Sequence, residues 1–197
     1  MIIDASSRLK YEKSNQKEVV DPPVLEYLED WSFSQLIKEI NSCQIPLAGK
    51  KKYMSIYLAS DNDYKLALTT FYELQILGYI PIITSSEMNS YLKDNPTTIR
   101  QFVDSGALLQ INVSSILGDH GKVIQKHAIN LCKKNLVHFI KSDTQCSINT
   151  MFLLDKAYKY LQKKVSVEYV QFLKENENHL IKGTDFHVPD LKNRKLK

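Results

Sequence analysis

The chain is poor in the residues on which several protein classes depend. Its 197 residues include only three cysteines, Cys43, Cys132 and Cys146, and their wide spacing predicts neither a disulfide framework nor a CxxC zinc knuckle. No apolar run reaches the roughly 18 residues of a membrane span, and the first ten residues lack the apolar segment of a signal peptide. We therefore predict a cytoplasmic protein without a membrane span.

Two catalytic signatures are also missing. A thiolate tyrosine phosphatase needs Cys-x5-Arg, because the arginine helps to hold the phosphate, but Gly49, His138 and Phe152 stand six residues after the three cysteines. The histidines form neither HxH nor HExxH. His127 and His138 fall inside predicted elements, where a packed or surface role is expected. His120, in a predicted strand-to-helix loop, is the best-placed candidate ligand among the histidines.

The formal charge of +4 is a weak sign of a nucleic-acid partner. Part of the basic surplus lies at the carboxyl terminus, in Lys192, Arg194, Lys195 and Lys197. No aromatic and basic residues alternate in a nucleic-acid-binding pattern. We therefore predict a solvated basic tail and no nucleic-acid partner.

Apolar segments alternate between strand and helix patterns from residue 53 onward. Strands are predicted at 53–59, 79–84, 107–113 and 136–141, with intervening helices after Asp61–Asp63, from Asn95-Pro96 and over 118–135. This alternation predicts a parallel sheet or barrel. Beyond it we predict a helix with Phe152 on its apolar face and short helices at 169–173 and 179–181. Before it, Met1–Ala5 is predicted as a strand, and Pro22-Pro23 predicts the start of a helix.

Polar residues follow two of the apolar strands, in the segments Thr84–Asn89 and Ser142–Gln145. α/β proteins place their chemistry at the carboxyl ends of parallel strands. These two loops are therefore the predicted position of a functional site.

Several segments match one known family in their order along the chain. They are Phe71–Gln75, Gly78–Ile83, Asn95-Pro96, Gly106–Gln110 and Phe139–Asp143. The series resembles the manganese-dependent protein-tyrosine phosphatases of bacterial capsule and exopolysaccharide operons, in the polymerase and histidinol phosphatase (PHP) superfamily. The resemblance implies a distorted (β/α)7 barrel in which a manganese cluster activates water against phosphotyrosine.

The chain is shorter than a complete barrel of this kind, which takes on the order of 250 residues. The stretch near 9–23 lacks a strand and a helix that the resemblance implies. We therefore predict an α/β fold, an incomplete or distorted (β/α)7-type PHP barrel with parallel strands and C-terminal helices. It forms a single domain over 1–185, followed by a basic tail over 186–197.

The departures from the family fall on the residues that the resemblance assigns to chemistry. The family's Asp-Ile-His-x-His becomes Asp4–Arg8, and its Ile-Glu-Phe becomes Ile56–Leu58. Its Ala-His-Pro-Glu-Arg-Asn loop becomes Thr84–Asn89, and its Ser-Asp-Ala-His becomes Ser142–Gln145. The degenerate-site positions are Ser6, Arg8, Tyr57, Ser85, Glu87, Lys141, Asp143 and Gln145. Of the implied ligands only Asp143 is retained, as a vestigial metal ligand, and no residue is assigned as catalytic.

The charged residues of this region allow two interpretations. Glu87 and Asp143 could pair as acid and base or bind one weak cation; alternatively, Lys141 or Arg8 neutralises them in a salt bridge. The second interpretation is favoured, because carboxylates that have lost their metals are costly to bury without a basic neighbour.

Two functions are compatible with these observations. The first is a catalytically impaired homologue without a cofactor, acting as a binding or regulatory module whose protein partner is a bacterial tyrosine kinase or its tyrosine-rich tail. The alternative is an active manganese-dependent protein-tyrosine phosphatase or phosphoesterase with remodelled ligands drawn from Asp4, Glu87, Asp143 and His120.

Overall fold

The structure, a computed structural model, describes residues 24–27, 52–58, 64–142 and 147–182. Within these ranges five strands alternate with helices. The strands are β1 (Val24–Tyr27), β2 (Lys52–Leu58), β3 (Tyr79–Thr84), β4 (Leu108–Asn112) and β5 (Phe139–Lys141). The helices are α1 (Tyr64–Ile76), α2 (Ser90–Asp94), α3 (Pro96–Asp104), α4 (Val113–Leu117), α5 (Lys122–Lys133), α6 (Ser147–Lys164) and α7 (Val167–Lys182).

All four strand pairs are parallel, and the strands neighbour one another in chain order, β1-β2-β3-β4-β5. A doubly wound sheet reverses its strand order at a switch point, whereas a barrel adds each new strand on the same side. The observed order is therefore that of a barrel segment. It confirms the prediction of an α/β fold with parallel strands, and it leaves two edges among the described strands, at β1 and β5.

The two faces of the sheet carry different clusters, as expected for strands buried on both sides. On the helix face, Met54 and Ile56 pack in one core with helix residues such as Phe71 and Phe102. The opposite face, called the inner face below, has an apolar cluster of strand residues: Tyr53, Ile82, Leu108 and Phe139. Leu180, near the end of α7, packs into that cluster. The helix α7 thus reaches the inner face of the sheet.

Local sequence signals predicted the buried face and the end of α1. Ala67, Phe71 and Leu74 are fully buried on α1, as their spacing predicts. Gly78 follows the helix at φ 82°, a backbone conformation that glycine adopts at no steric cost. Leu77, expected on the same face, lies beyond the helix and is exposed.

Two predictions of secondary structure were wrong. Val24–Tyr27 forms a strand, not a helix, because it pairs in parallel with Ser55–Leu58 and this pairing overrides the apolar spacing. The two short helices expected near the carboxyl terminus form the single helix α7, whose buried positions Tyr169, Leu173, Asn176 and Leu180 keep a continuous helical period. Phe152, expected on an inward face, is exposed.

Some predicted features lie outside the described residues. They are the strand at Met1–Ala5, the shortening near 9–23 and the basic tail over 186–197. Among the described residues, no helix combines the length and apolar character needed to cross a bilayer.

Candidate functional site

Polar side chains line the inner face at the carboxyl ends of four strands. Alternation places Tyr57, Thr84, Gln110, Asn112 and Lys141 on this face, because their chain neighbours Ile56, Ile83, Ile111 and Ile140 belong to the core on the other side. Tyr57, Thr84 and Gln110 share one register level, and Asn112 pairs with Lys141 on the next. The inner face is therefore apolar at its amino end and polar where the barrel fold places active sites.

The loop from β3 to α2 begins with an unusual backbone conformation. Ser85 has φ 52°, in the left-handed region that non-glycine residues rarely adopt. Its Oγ accepts a hydrogen bond from Asn112 Nδ2 at 3.1 Å, and its carbonyl accepts one from Met88 N at 3.0 Å. The position that the resemblance gives to a ligand histidine is thus held beside Asn112, but it presents a hydroxyl group.

Glu87 lies in the same loop and is almost fully buried, with 1% of its surface exposed. Its Oε1 accepts hydrogen bonds from Asn112 N at 2.9 Å and from Ser115 Oγ at 2.8 Å. These two donors fasten the loop to the end of β4 and to α4. Arg8, one of the two basic neighbours expected for Glu87 and Asp143, lies outside the described residues, and the salt bridge stays a prediction. Through Oε1, Glu87 therefore acts as a structural pin for the loop.

Asn89 closes the loop through hydrogen bonds that were not predicted from the sequence. Its Oδ1 accepts from Leu92 N at 2.9 Å and from Tyr64 OH at 3.2 Å, and its Nδ2 donates to Leu58 O at 3.0 Å. The side chain caps α2 and ties the loop to the end of β2. An asparagine directly before a helix was the available signal, because asparagine is a favoured N-cap residue.

Tyr57 and Lys141 stand at opposite sides of the described site. Tyr57, at the end of β2, is 40% exposed, and Lys141, at the end of β5, is half-buried. On β1, Glu26 occupies the register position beside Tyr57. Glu26 was not predicted as a site residue, because its segment was predicted to be helical. Ser6, Arg8, Asp143 and Gln145 lie outside the described residues, as does Asp4.

His120 and His138 have different surroundings. His120 Nε2 lies 2.9 Å from Ser114 Oγ in the exposed turn between α4 and α5. His138 is buried, and its Nδ1 accepts from Leu109 N at 3.1 Å. Burial lowers the pKa of His138 to about 4, so the ring is neutral near pH 7. The expectation that His138 is a packed residue is confirmed.

Cys132 is unsuited to nucleophilic chemistry. It is fully buried, and burial raises the pKa of its thiol to about 12. The thiolate is the reactive form of cysteine, and at neutral pH this side chain remains a thiol. The burial of Cys132 and the absence of a Cys-x5-Arg motif both argue against a cysteine nucleophile at this position.

The side chains at the carboxyl ends of β2 to β5 do not by themselves fit a manganese cluster. Manganese prefers carboxylate and imidazole ligands, whereas the inner-face side chains of β2 to β5 at this end are hydroxyls, amides and an ammonium group. Within the ranges that the structure covers, no group of three or more histidine, cysteine, aspartate or glutamate residues is placed to hold a metal ion. Asp143, the retained ligand position, is not among them.

Comparison with known proteins identifies the family. A family described as "Capsular polysaccharide synthesis, CpsB/CapC" matches residues 10–182. The chain belongs to this CpsB/CapC family. The resemblance derived from the ordered segments is thereby confirmed.

Individual relatives of this chain carry phosphatase names. Tyrosine-protein phosphatase YwqE of Bacillus subtilis is 31% identical over 183 residues, which cover 91% of this chain and 72% of YwqE. Tyrosine-protein phosphatase CpsB of Streptococcus pneumoniae is 25% identical over 154 residues, which cover 75% of this chain and 63% of CpsB. The relatives that this chain matches are thus named as tyrosine phosphatases.

A solved structure matches as well. It belongs to a study of YwqE from Bacillus subtilis and CpsB from Streptococcus pneumoniae, described as unique metal-dependent tyrosine phosphatases. The match has a TM-score of 0.69 and 29% identity, and it covers 78% of this chain. The matched region spans 62% of the length of that structure. This likeness confirms the PHP-type fold.

Proposed function

We propose that the chain acts on phosphotyrosyl protein as a metal-dependent phosphohydrolase of the CpsB/CapC family. The observation that carries this proposal is the similarity to YwqE, which extends over 91% of the chain. The candidate site of this proposal is at the carboxyl ends of the parallel strands, where barrels of this kind support catalysis. We also propose that the chain acts in the cytoplasm, on a phosphotyrosyl protein of that compartment.

Metal ligands in this proposal come from three acidic residues. Asp143 follows β5 in the chain, and Glu26 holds the register position beside Tyr57 on β1. Asp4 is the third acidic position. Carboxylates are suitable ligands for manganese, and a bound metal would supply an activated water and a charge for the phosphoryl oxygens. Glu87 is not included, because its carboxylate fastens the loop.

The test combines metal content with turnover. The purified chain would be loaded with manganese, analysed for bound metal and assayed on a phosphotyrosyl peptide. We expect bound manganese and turnover that Asp143→Ala abolishes, while Asp119→Ala, an exposed acidic residue in the α4–α5 turn, leaves turnover unchanged. Absence of both bound manganese and turnover would contradict the proposal.

One observation favours a second candidate, a binding or regulatory module without turnover. Ser85 occupies the ligand-histidine position of the resemblance, in a strained backbone conformation, and it is hydrogen-bonded to Asn112. The partner of such a module would be a bacterial tyrosine kinase or its tyrosine-rich tail. Stable binding of a phosphorylated tail peptide without hydrolysis in the presence of manganese would support this candidate over the first.

A further inference from the structure

We propose that the carboxyl end of the inner face binds an aryl phosphate directly through Lys141, without a metal between protein and phosphate. The proposal rests on the proposed function only for the identity of the ester, tyrosine phosphate. Its physical basis is the arrangement of Lys141, Asn112, Ser85 and Tyr57.

The chemistry of these side chains suits an anion. From β2 to β5 the inner-face residues at this end are Tyr57, Thr84, Gln110, Asn112 and Lys141. Hydroxyl and amide groups donate hydrogen bonds, and an ammonium group donates three with a full positive charge. Hydrogen bonds between such a cation and a phosphate oxygen are about twice as strong as those between neutral groups. These side chains of β2 to β5 therefore match a phosphate better than they match a metal ion.

Three of the donors form a continuous line. Asn112 and Lys141 are register partners on adjacent parallel strands, which lie about 4.8 Å apart. Asn112 Nδ2 donates to Ser85 Oγ at 3.1 Å, and a hydroxyl that accepts in this way can donate its own hydrogen to another acceptor. Lys141 would hold the charge of the phosphate, and Ser85 would donate a neutral hydrogen bond.

Tyr57 is placed to contact the ring of the ester. It lies on the same face three strands away, so the backbones of β2 and β5 are at most roughly 14 Å apart along the sheet. Both residues lie on the same face of the sheet, and Lys141 is two residues closer to the carboxyl end than the register level of Tyr57. With 40% of its surface exposed, Tyr57 has an aromatic face available for offset stacking.

The amino end of the same face strengthens the charge interaction. There Tyr53, Ile82, Leu108 and Phe139 form an apolar floor that Leu180 covers from α7. A low-dielectric floor increases the attraction between an ammonium group and a phosphate above it. The ligand would accordingly enter from the carboxyl ends of the strands.

The test measures binding in the presence of a chelator. Titration calorimetry would compare a phosphotyrosyl peptide, the same peptide without phosphate, a phosphoseryl peptide and inorganic phosphate, all with excess EDTA. We expect the phosphotyrosyl peptide to bind most tightly and the unphosphorylated peptide at least tenfold more weakly. Binding only after manganese is added would overturn the proposal.

Variants assign the roles of the two end residues. Lys141→Met keeps the aliphatic stem and removes the charge, so we expect affinity for the phosphotyrosyl peptide to fall roughly tenfold or more, with partial recovery in Lys141→Arg. Tyr57→Ala should reduce the preference for phosphotyrosine over phosphoserine. Lys134→Met and Tyr72→Ala, both at exposed positions, are the matched controls and should bind normally. Thermal unfolding of each variant would establish that it is folded. Equal affinity of folded Lys141→Met and the unchanged chain would overturn the proposal.

Failure of this proposal is distinguishable from failure of the proposed function. Turnover with manganese, together with no binding in EDTA, would retain the phosphatase and reject the direct phosphate site. Binding in EDTA without turnover under any metal would retain the direct site and favour the non-catalytic candidate.

Discussion

At the scale of single residues, the β3–α2 loop contains two kinds of position. Some residues hold its conformation, and others stand where the family has its ligand histidine and its arginine. Glu87 and Asn89, which the chain shares with the family loop, make the hydrogen bonds that hold β2, β4, α2 and α4 together. Ser85 and Met88 replace the family's histidine and arginine, and neither carries that set of bonds. The loop can therefore keep its shape while its chemical content changes.

Removal of the Glu87 carboxylate should destabilise the fold. Glu87→Ala leaves Asn112 N and Ser115 Oγ–H without their buried acceptor, and we expect a loss of about 2–4 kcal/mol in the free energy of unfolding. Glu87→Gln keeps an acceptor oxygen and should lose less. Met88→Ala, at an exposed neighbouring position, is the control and should lose less than about 1 kcal/mol. Urea denaturation measures all three, and equal stability of the Ala and Gln variants would argue against the pin.

Ser86 lies in the same loop as Glu87, but removal of its side-chain hydroxyl should not destabilise the fold. Its hydroxyl is buried and has no hydrogen-bond partner among the described residues. Because an unsatisfied buried hydroxyl is costly, Ser86→Ala should leave the free energy of unfolding unchanged or raise it by about 1 kcal/mol. Ser115→Ala, at an equally buried serine that donates to Glu87, should lower it. A clear loss of stability in Ser86→Ala would contradict this account.

His138 should make stability depend on pH. Burial lowers the pKa of the folded-state imidazole from 6.5 to about 4, so between these values the unfolded chain binds a proton that the folded chain excludes. The stability is complete above pH 6.5 and falls by roughly 3 kcal/mol as the pH approaches 4. In His138→Asn, an amide oxygen can accept from Leu109 N and this part of the slope should disappear. His120→Asn should keep the slope, and an unchanged slope in His138→Asn would be contrary evidence.

At the scale of elements, the sequence was informative wherever local signals were sufficient. Asn95-Pro96 and Gly106 bound α3 as expected, and β3 has the predicted limits Tyr79–Thr84. Val24–Tyr27 was predicted wrongly because its strand state depends on pairing with β2, which no local pattern reveals. That error also hid the register position of Glu26 beside Tyr57.

The helix α7 stabilises the inner face through its last turns. Leu180 packs against Tyr53, Ile82, Leu108 and Phe139, and Asn176 Nδ2 donates to His138 O at 3.1 Å. Leu180→Ala should therefore lower the free energy of unfolding by about 2–5 kcal/mol, as for other large-to-small core changes. Glu175→Ala, at an exposed position on the same helix, is the matched control. If Leu180→Ala lowered the free energy of unfolding by less than about 1 kcal/mol, the packing of α7 on the inner face would not stabilise the fold.

At the scale of the whole molecule, one sheet separates two cores that should unfold together. Phe71 lies in the helix-face core and Leu180 in the inner-face cluster. Phe71→Ala and Leu180→Ala should each lower the midpoint of a single transition, and the double variant should be additive within roughly 0.5 kcal/mol because the sites share no contacts. Circular dichroism and tyrosine fluorescence would report the same transition. Two separated transitions would show that the faces are independent folding units.

The sequence by itself determined the alternating strands and helices, the parallel sheet, the family and the positions where that family's ligands are replaced, because all of these depend on local patterns and on residue order. Only the tertiary structure decided what the remaining residues do. It placed Glu87 against Asn112 and Ser115, brought Leu180 to the inner face, and aligned Tyr57, Asn112 and Lys141 along one edge. These relations join residues far apart in the chain, and the pairing register and burial that create them are properties of the folded sheet.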